Sequence, residues 1–420
     1  MNDSNQNMRF CPGCGTKLDR TASFCFACGY QLEEGAAVIP EKEQVSTMPR
    51  TVDTSSKKET GKGLVAMKRE KKKAKKKSKK TYRKGVIVGL ILACIVFGIL
   101  GFFLVGFMTS GTYQKTYSYY YNPASPASIE ECTIYADTAF INVQYNTTPV
   151  SYYAKVDVNF YFSGFFVFGK TYQNYFNPIS WENESSAALT LTRNHMSWID
   201  PTNWLKTEWN VITLTLRTDV VYDITATSVT GGISMTAPQN VTINDIALTC
   251  TTGSVDLNGT DATFTKGLSC STTTGSTILE FTRCTFGDNI VGGSTTGGVN
   301  LKTYNLTYTK DITWTLSTTT GGIYTRISQN SNMGANITGS VTTTTGSISV
   351  LYYDNSPNYG ARFSGTTTTG SVSCSGDDFY EAGSDKNKLC TTDDYISAIN
   401  TYELTLTATT GSIYVGGDNN

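Results

Sequence analysis

Three patterns of apolar and polar positions run along this chain, and each predicts a different element. From residue 85 to residue 107 the chain reads GVIVGLILACIVFGILGFFLVGF, with every position apolar or glycine. As a helix this stretch rises roughly 34 Å, slightly more than the hydrocarbon core of a bilayer. It lacks the polar face that a helix on a soluble core carries, so it predicts a membrane span. Its length and the 84 residues before it set it apart from a cleaved signal peptide.

The second pattern is strand alternation within residues 111–226, a region rich in Tyr, Phe and Trp. In VDVNFYF, Val156, Val158, Phe160 and Phe162 fall on one side and Asp157, Asn159 and Tyr161 on the other. Ser163-Gly164 and FFVFG follow, which predicts a hairpin over 156–169. Tyr119, Tyr120, Tyr121, Trp198 and Trp204 are read mainly as core, with sugar contact or the headgroup layer as the other roles such rings take.

The third pattern is a repeat. VTGGISM, CTTGSVDL, STTTGSTIL, GSTTGGVNL, STTTGGIYT, TTTTGSISV, TTTTGSVSC and ATTGSIYV place the first Gly of each pair at 231, 253, 275, 297, 321, 346, 370 and 411. The first six intervals are 22, 22, 22, 24, 25 and 24. Each period carries two apolar stations, such as Val299 and Leu301, then Leu306, Tyr308, Ile312, Trp314 and Leu316. One turn alone buries neither station, whereas turns stacked about 4.8 Å apart bury both in a column. The prediction is a right-handed β-solenoid over 227–420, about eight turns of period 22–25, with Gly at a corner of positive φ and threonine ladders outside. The polar end GGDNN suits a cap. The 41-residue interval from Gly370 to Gly411 holds an insertion that matches the segment from Cys374 to Cys390, predicting a disulfide between them and a recognition loop. The T-T-G-S-I pattern, with alternating strands before it, resembles the adhesin-like β-solenoid domain of bacterial and archaeal surface proteins over about residues 130–420. That resemblance implies a surface role and brings no catalytic residues with it.

Charge then orients the chain. Residues 1–110 hold 20 Lys/Arg and 9 Asp/Glu, and residues 111–420 hold 14 and 25, so a net charge of zero hides halves of +11 and −11. Lys68–Lys84 contains twelve basic residues and only the acid Glu70. Basic flanks stay cytoplasmic, which places the N-terminus inside and the C-terminal domain outside, with Lys68–Lys84 against anionic lipid headgroups. Six N-x-S/T sequons follow the span, at Asn146, Asn183, Asn240, Asn258, Asn305 and Asn336, all candidates for glycosylation.

Cysteine usage divides in the same way. FCPGCGTKL at 10–18 recurs as FCFACGYQL at 24–32, and two C-x-x-C-G turns make a four-thiolate tetrahedral site from Cys11, Cys14, Cys25 and Cys28. The expected metal is structural Zn²⁺, since cytosolic thiolates favour it. The segment resembles, over about 9–32, the short zinc ribbons at the N-termini of many prokaryotic membrane proteins. Residues 33–84 read as a disordered linker ending in the polybasic run, with helix possible from Val65 onward.

Nothing in the chain spells out catalysis. The acids Asp256, Glu280 and Asp311 fall at unmatched repeat positions, His195 is the only histidine, and the Asp377-Asp378 and Asp393-Asp394 pairs read as solvated loops. G-x-S-x-G, P-loop and H-E-x-x-H signatures are missing. The expectation is therefore a non-enzymatic, single-pass surface protein that binds an extracellular glycan or protein. One alternative is a transmembrane sensor whose ribbon docks a cytoplasmic protein or nucleic acid, and another is a structural surface polymer.

Overall fold

The computed structural model describes residues 8–10, 17–19, 66–148, 150–194, 205–354, 358–376 and 379–417, with backbone alone for 8–10, 17–19 and 66–85. The zinc-ligand candidates Cys11, Cys14, Cys25 and Cys28 lie outside the described residues, as do His195, Trp198, Trp204, Asp377 and Asp378. The chain divides into two units, 1–101 and 102–420. It is mostly β, with one long apolar helix.

In the first unit Met8–Phe10 and Lys17–Asp19 pair antiparallel, on either side of the first C-x-x-C. Helix α1 spans Ala66–Met108, so the basic run and the apolar run share one helix. Its Val86–Met108 portion is long and apolar enough to cross a membrane, and its most apolar stretch is unburied.

The second unit is built from two large sheets in which strand pairs stack as layers, one strand of each pair per sheet. Taken in spatial order, layer 1 is Ala187–Leu191 with Lys206–Arg217, layer 2 is Glu130–Thr138 with Phe140–Asn146, and layer 3 is Tyr222–Thr230 with Ile233–Ala237. Layers 4 to 6 are Thr242–Thr252 with Val255–Thr260, Leu268–Thr274 with Thr277–Thr282, and Ile290–Thr296 with Val299–Tyr304. Layers 7 and 8 are Ile312–Thr320 with Ile323–Gln329 and Ile337–Thr345 with Ile348–Asp354. Layer 9 is Asn400–Thr410 with Ile413–Gly416, and layer 10 is Tyr359–Thr369 with Val372–Ser375. Neighbouring layers pair parallel throughout, because each turn repeats the direction of the last.

Ten layers exceed the eight repeat motifs because two come from the aromatic-rich region and lack the Gly pair. Layer 2 turns at Ala139-Phe140 instead. Order along the chain is also not order in the stack. Layer 2 precedes layer 1 in sequence yet lies between layers 1 and 3, and layer 9, which follows layer 10 in sequence, lies between layers 8 and 10. The described chain therefore leaves the stack at Gly417 from layer 9, which is not an end layer, and residues 418–420 of the predicted cap lie outside the described residues.

Antiparallel strands finish both ends. Ala154–Gly164 and then Gly111–Tyr121 extend one sheet beyond layer 1, and Ser180–Glu182 extends the other. Beyond layer 10 the hairpin Phe379–Ser384/Asn387–Thr392 pairs with Tyr359–Thr369. The predicted hairpin over 156–169 does not form. Both edges of Ala154–Gly164 are occupied by other strands, so Phe165–Phe168 leaves the sheet.

The core is the space between the two sheets. Val299, Leu301, Leu306, Tyr308, Ile312, Trp314 and Leu316 are all buried, as the apolar stations require. Phe264 and Phe286, from successive layers, stack with centroids 4.8 Å apart, on a short third ladder of Thr263–Phe264, Thr285–Phe286 and Thr307–Tyr308. An in-register parallel stack superimposes like residues, so one favourable ring contact recurs at each step.

Candidate binding surfaces

The repeated T-T-T-G is a corner whose three threonines do different work. The residue three before the Gly points inward and donates its hydroxyl to the Gly carbonyl of the layer before it. Thr272 bonds Gly253 O at 2.8 Å, Ser294 bonds Gly275 O at 2.9 Å, Thr318 bonds Gly297 O at 2.9 Å, and Thr343 bonds Gly321 O at 3.0 Å. Thr367 bonds Gly411 O at 2.9 Å, which confirms the stack order at that end. Cys250 and Ala408 hold the same position without a hydroxyl, and Cys250 directs its thiol at Gly231 O over 3.1 Å. These hydroxyls satisfy carbonyls that the corner turns away from the sheet ladder.

The Gly itself has φ between 134° and 147° in the motif positions, where only glycine sits without strain. A Cβ there would overlap the carbonyl oxygen of the corner residue one layer away, a glycine in every case but Ala139 opposite Gly231. Two threonines remain, and both face solvent. Thr252, Thr274, Thr296, Thr320 and Thr345 are in register in one exposed row, continued by Thr410 and then Thr369.

A second corner has no compositional signature. Asn240, Asp261, Arg283 and Asn305 all have φ between 50° and 64°, at the same step from layer to layer. Asp261 and Arg283 pair across that step through two bonds of 2.7 and 2.8 Å. The only sequence signal is the near-22 spacing of these four residues, whose types differ.

Two places on the outer walls gather polar and aromatic groups. On one sheet the Arg326 guanidinium lies between the rings of Tyr304, at 5.6 Å, and Tyr353, at 4.7 Å. On the other sheet, across layers 8 to 10, a cleft of about 270 Å³ is lined by Thr338, Arg362, Ser364, Glu403 and Thr405. Thr338, Glu403 and Arg362 are cross-strand neighbours in one row. Tyr395, on the segment between the hairpin and layer 9, donates its hydroxyl to Glu403 and lies 5.9 Å from the Arg362 guanidinium. Splicing layer 9 between layers 8 and 10 is what puts Glu403 beside Arg362. A linear reading of the repeat has no means of pairing them.

Cys374 and Cys390 are disulfide-bonded, with Cα atoms 5.9 Å apart, and the segment between them forms the capping hairpin. Cys132, Cys250, Cys270 and Cys284 are buried free thiols. Burial pushes Cys284 up to about 11 and holds Cys132 and Cys270 higher still, so none is a nucleophile in the folded protein. Of the sequons, Asn183 and Asn240 are exposed and Asn146 is half-buried, its side-chain oxygen accepting the Thr148 hydroxyl at 2.8 Å. Asn258 donates to Asp256, Asn305 accepts the Asn330 amide, and Asn336 accepts the Thr401 amide.

Each of the three candidate acids has a partner of its own, Asp256 in the Asn258 amide. Glu280 pairs with Lys302 at 3.2 Å and Asp311 accepts the Asn336 amide at 2.8 Å. Among the described residues no group of three or more His, Cys, Asp or Glu side chains gathers to hold a metal.

No family model matches the chain, and no curated protein matches it. Among solved structures it is similar to a provisionally named cell adhesion protein from Clostridium sporogenes, at 13% identity and a TM-score of 0.25, covering 73% of this chain and 100% of that one. It is also similar to provisionally named adhesins from Parabacteroides merdae and Parabacteroides distasonis, each at 10% identity and with 72% of this chain covered. Their TM-scores are 0.28 and 0.20, with 95% and 97% of their own chains covered. Identities and scores of this size leave the role of this chain to be argued from its own residues.

Proposed function

We propose that this is a single-pass membrane protein whose ectodomain, a right-handed β-solenoid, carries a binding surface for an extracellular glycan or protein. The observation that carries this reading is the position of the Arg362–Glu403–Tyr395 cleft. It spans layers 8 to 10, whereas the end of α1 joins the strand Gly111–Tyr121 beyond layer 1. Seven to nine layer steps of about 4.8 Å hold the cleft roughly 34–43 Å along the stack from layer 1. Arg and Glu flanked by hydroxyls and one aromatic ring suit hydroxyl-rich or carboxylate-bearing ligands, which need paired donors and acceptors. The basic Lys68–Lys84 run supports a cytoplasmic N-terminus in contact with anionic headgroups.

The test is a glycan and whole-cell binding screen with residues 111–420, repeated with Arg362→Ala. Binding that Arg362→Ala abolishes supports the cleft, and binding that it leaves intact moves the site elsewhere. A folded fragment that binds neither glycans nor cells counts against the adhesive reading.

The N-terminal duplication supports a zinc ribbon with Cys11, Cys14, Cys25 and Cys28 as ligands, and the strand pair Met8–Phe10/Lys17–Asp19 suits the first knuckle. Residues 1–40 are expected to take up one Zn²⁺ and to unfold on chelation or in Cys14→Ser. A segment that stays folded after complete chelation refutes it.

A sensor is the second reading, favoured by the packing of Phe166 on Phe102, which links the ectodomain base to α1. A pull-down with residues 1–84 separates the two, since a sensor requires a stoichiometric partner that depends on the metal ligands. End-to-end polymers are disfavoured by the antiparallel caps, which remove the parallel strand template at both ends of the taller sheet.

A further inference from the structure

Gly164-Phe165-Phe166-Val167-Phe168-Gly169 is an unusual sequence for a turn, because turns between strands are ordinarily polar. Both glycines have positive φ, and Phe166 is also in the left-handed region, at 62°. Bulky residues seldom adopt that conformation unless their surroundings impose it. Here the surroundings are the last turns of α1. The Phe166 ring lies 5.1 Å from that of Phe102, and the Phe165 ring 6.4 Å from that of Phe103. Gly106 is buried beneath them, and a Cβ there would meet the Phe166 ring at 3.0 Å, a tight contact that the ring would have to relieve. The Phe168 amide donates to Thr109 O at 3.0 Å, which fixes the loop to the point where the helix ends.

Val167 turns into the protein and is buried, whereas Phe168 is 76% exposed and the adjoining Leu205 is 37% exposed. Phe102, Phe103 and Gly106 belong to the apolar portion Val86–Met108. Phe102 precedes Met108 by six residues, roughly 9 Å of helix. Any ring packed on Phe102 must share its depth.

We propose that the Gly164–Gly169 loop is a second membrane contact, with Phe165, Phe166 and Phe168 immersed in the lipid leaflet beside the end of α1. This rests on the reading of α1 as a membrane span. The lipid is the occupant because the loop is continuous with the apolar surface of the helix and carries only apolar side chains. Backbone beside lipid is costly unless bonded within the protein, and the loop meets this in part: the amides of Phe165 and Phe168 are bonded to Leu205 O and Thr109 O, and that of Lys170 to Val167 O. Lys170, at the exit of the loop, stands where a cation reaches headgroup phosphates. With contacts at both the helix and the loop, the solenoid is held from pivoting on a single point.

The test uses the full chain with an environment-sensitive fluorescent amino acid in place of Phe168, Leu205, Leu104 or Thr319. Each variant is reconstituted in phosphatidylcholine vesicles with and without bromine on the acyl chains. Bromine is expected to quench the probe at Leu104 strongly, those at Phe168 and Leu205 measurably, and that at Thr319 not at all. Quenching at Leu104 with none at Phe168 or Leu205 overturns the loop contact and leaves the anchor standing. No quenching at Leu104 overturns the anchor and the loop contact together. Phe168 and Thr319 are exposed, so the probe there does not put folding at risk, and Leu205 gives a second reading of the loop.

Discussion

The Thr343 hydroxyl donates to the carbonyl oxygen of Gly321, 22 residues earlier and one layer away, at 3.0 Å. The same bond recurs along the stack, but it is missing at layer 9, where Ala408 occupies the donor position opposite Gly346. Ala408→Ser is expected to supply that donor and to stabilise by about 1 kcal/mol, the net worth of one such bond. Thr343→Ala should destabilise by about 1–3 kcal/mol, because it leaves the Gly321 carbonyl without its partner. Urea midpoints at unchanged slope measure both, and an unshifted midpoint in Ala408→Ser refutes the assignment.

Gly275 and Gly298 separate backbone geometry from loss of flexibility. Gly275→Ala puts a Cβ at φ 139° and against Gly253 O, whereas the nearest atom to a Cβ on Gly298, Gly322 O, is 3.3 Å away. The first substitution is expected to cost about 3 kcal/mol or more and the second about 1 kcal/mol or less. Thermal or urea unfolding of the two single variants ranks them. Equal losses would mean that the corner angle is not the constraint.

Non-reducing peptide mapping of exported protein is expected to recover the Cys374–Cys390 link, and both residues as free thiols would refute it. Cys374→Ser should destabilise by about 3 kcal/mol in the chain-entropy account. Deleting Ser375–Leu389 tests the hairpin differently. Layers 1 to 8 keep their partners and layer 9 loses only its contacts with Ser375, so circular dichroism should remain that of a β protein, while Tyr359–Thr369 gains a free edge and the variant should self-associate in sedimentation.

The buried thiols make stability fall in alkali. An ordinary thiol ionises near 9, whereas Cys284 is pushed up to about 11 by burial, and Cys132 and Cys270 further. Between those values the unfolded chain releases protons that the folded one retains, so stability is full below pH 9 and declines as pH rises toward 11 and beyond. The slope is about 1.4 kcal/mol per pH unit for each thiol fully affected. Urea midpoints at pH 7, 9 and 10.5 should drop in that order. A midpoint flat across this range would show the thiols to be solvated.

The layer spacing, the apolar stations and the corner glycines are legible in the chain because stacking forces like residues to recur at a fixed interval. Val299 and Leu301 announce their burial, and T-T-T-G announces its turn. What the interval does not encode is the order of stacking. Gly346, Gly411 and Gly370 satisfy the same corner geometry in either sequence, so the placement of the last layer is decided by loop reach and by the hairpin, not by the motif. Ala139 hides layer 2 because a corner next to the aromatic strands dispenses with the Gly pair. Asn240, Asp261, Arg283 and Asn305 share a backbone angle but no chemistry, which leaves nothing for composition to register. The Arg362–Glu403 cleft was illegible for the first of these reasons, since its two walls are adjacent only through the splice.

That splice makes each end of the stack behave like a latch. In a stack laid down in chain order, the outermost coil peels away by breaking one ladder, and the next coil is then exposed to the same loss. Here the layer 9 strand Asn400–Thr410 is gripped by Ile337–Thr345 on one side and Tyr359–Thr369 on the other, and Glu130–Thr138 is gripped in the same manner near the base. A pull on the C-terminus must tear two ladders at once before any coil is freed. Assembly meets the converse demand: layer 10 has to leave a slot one layer wide until layer 9, which follows it in the chain, slides in and closes it.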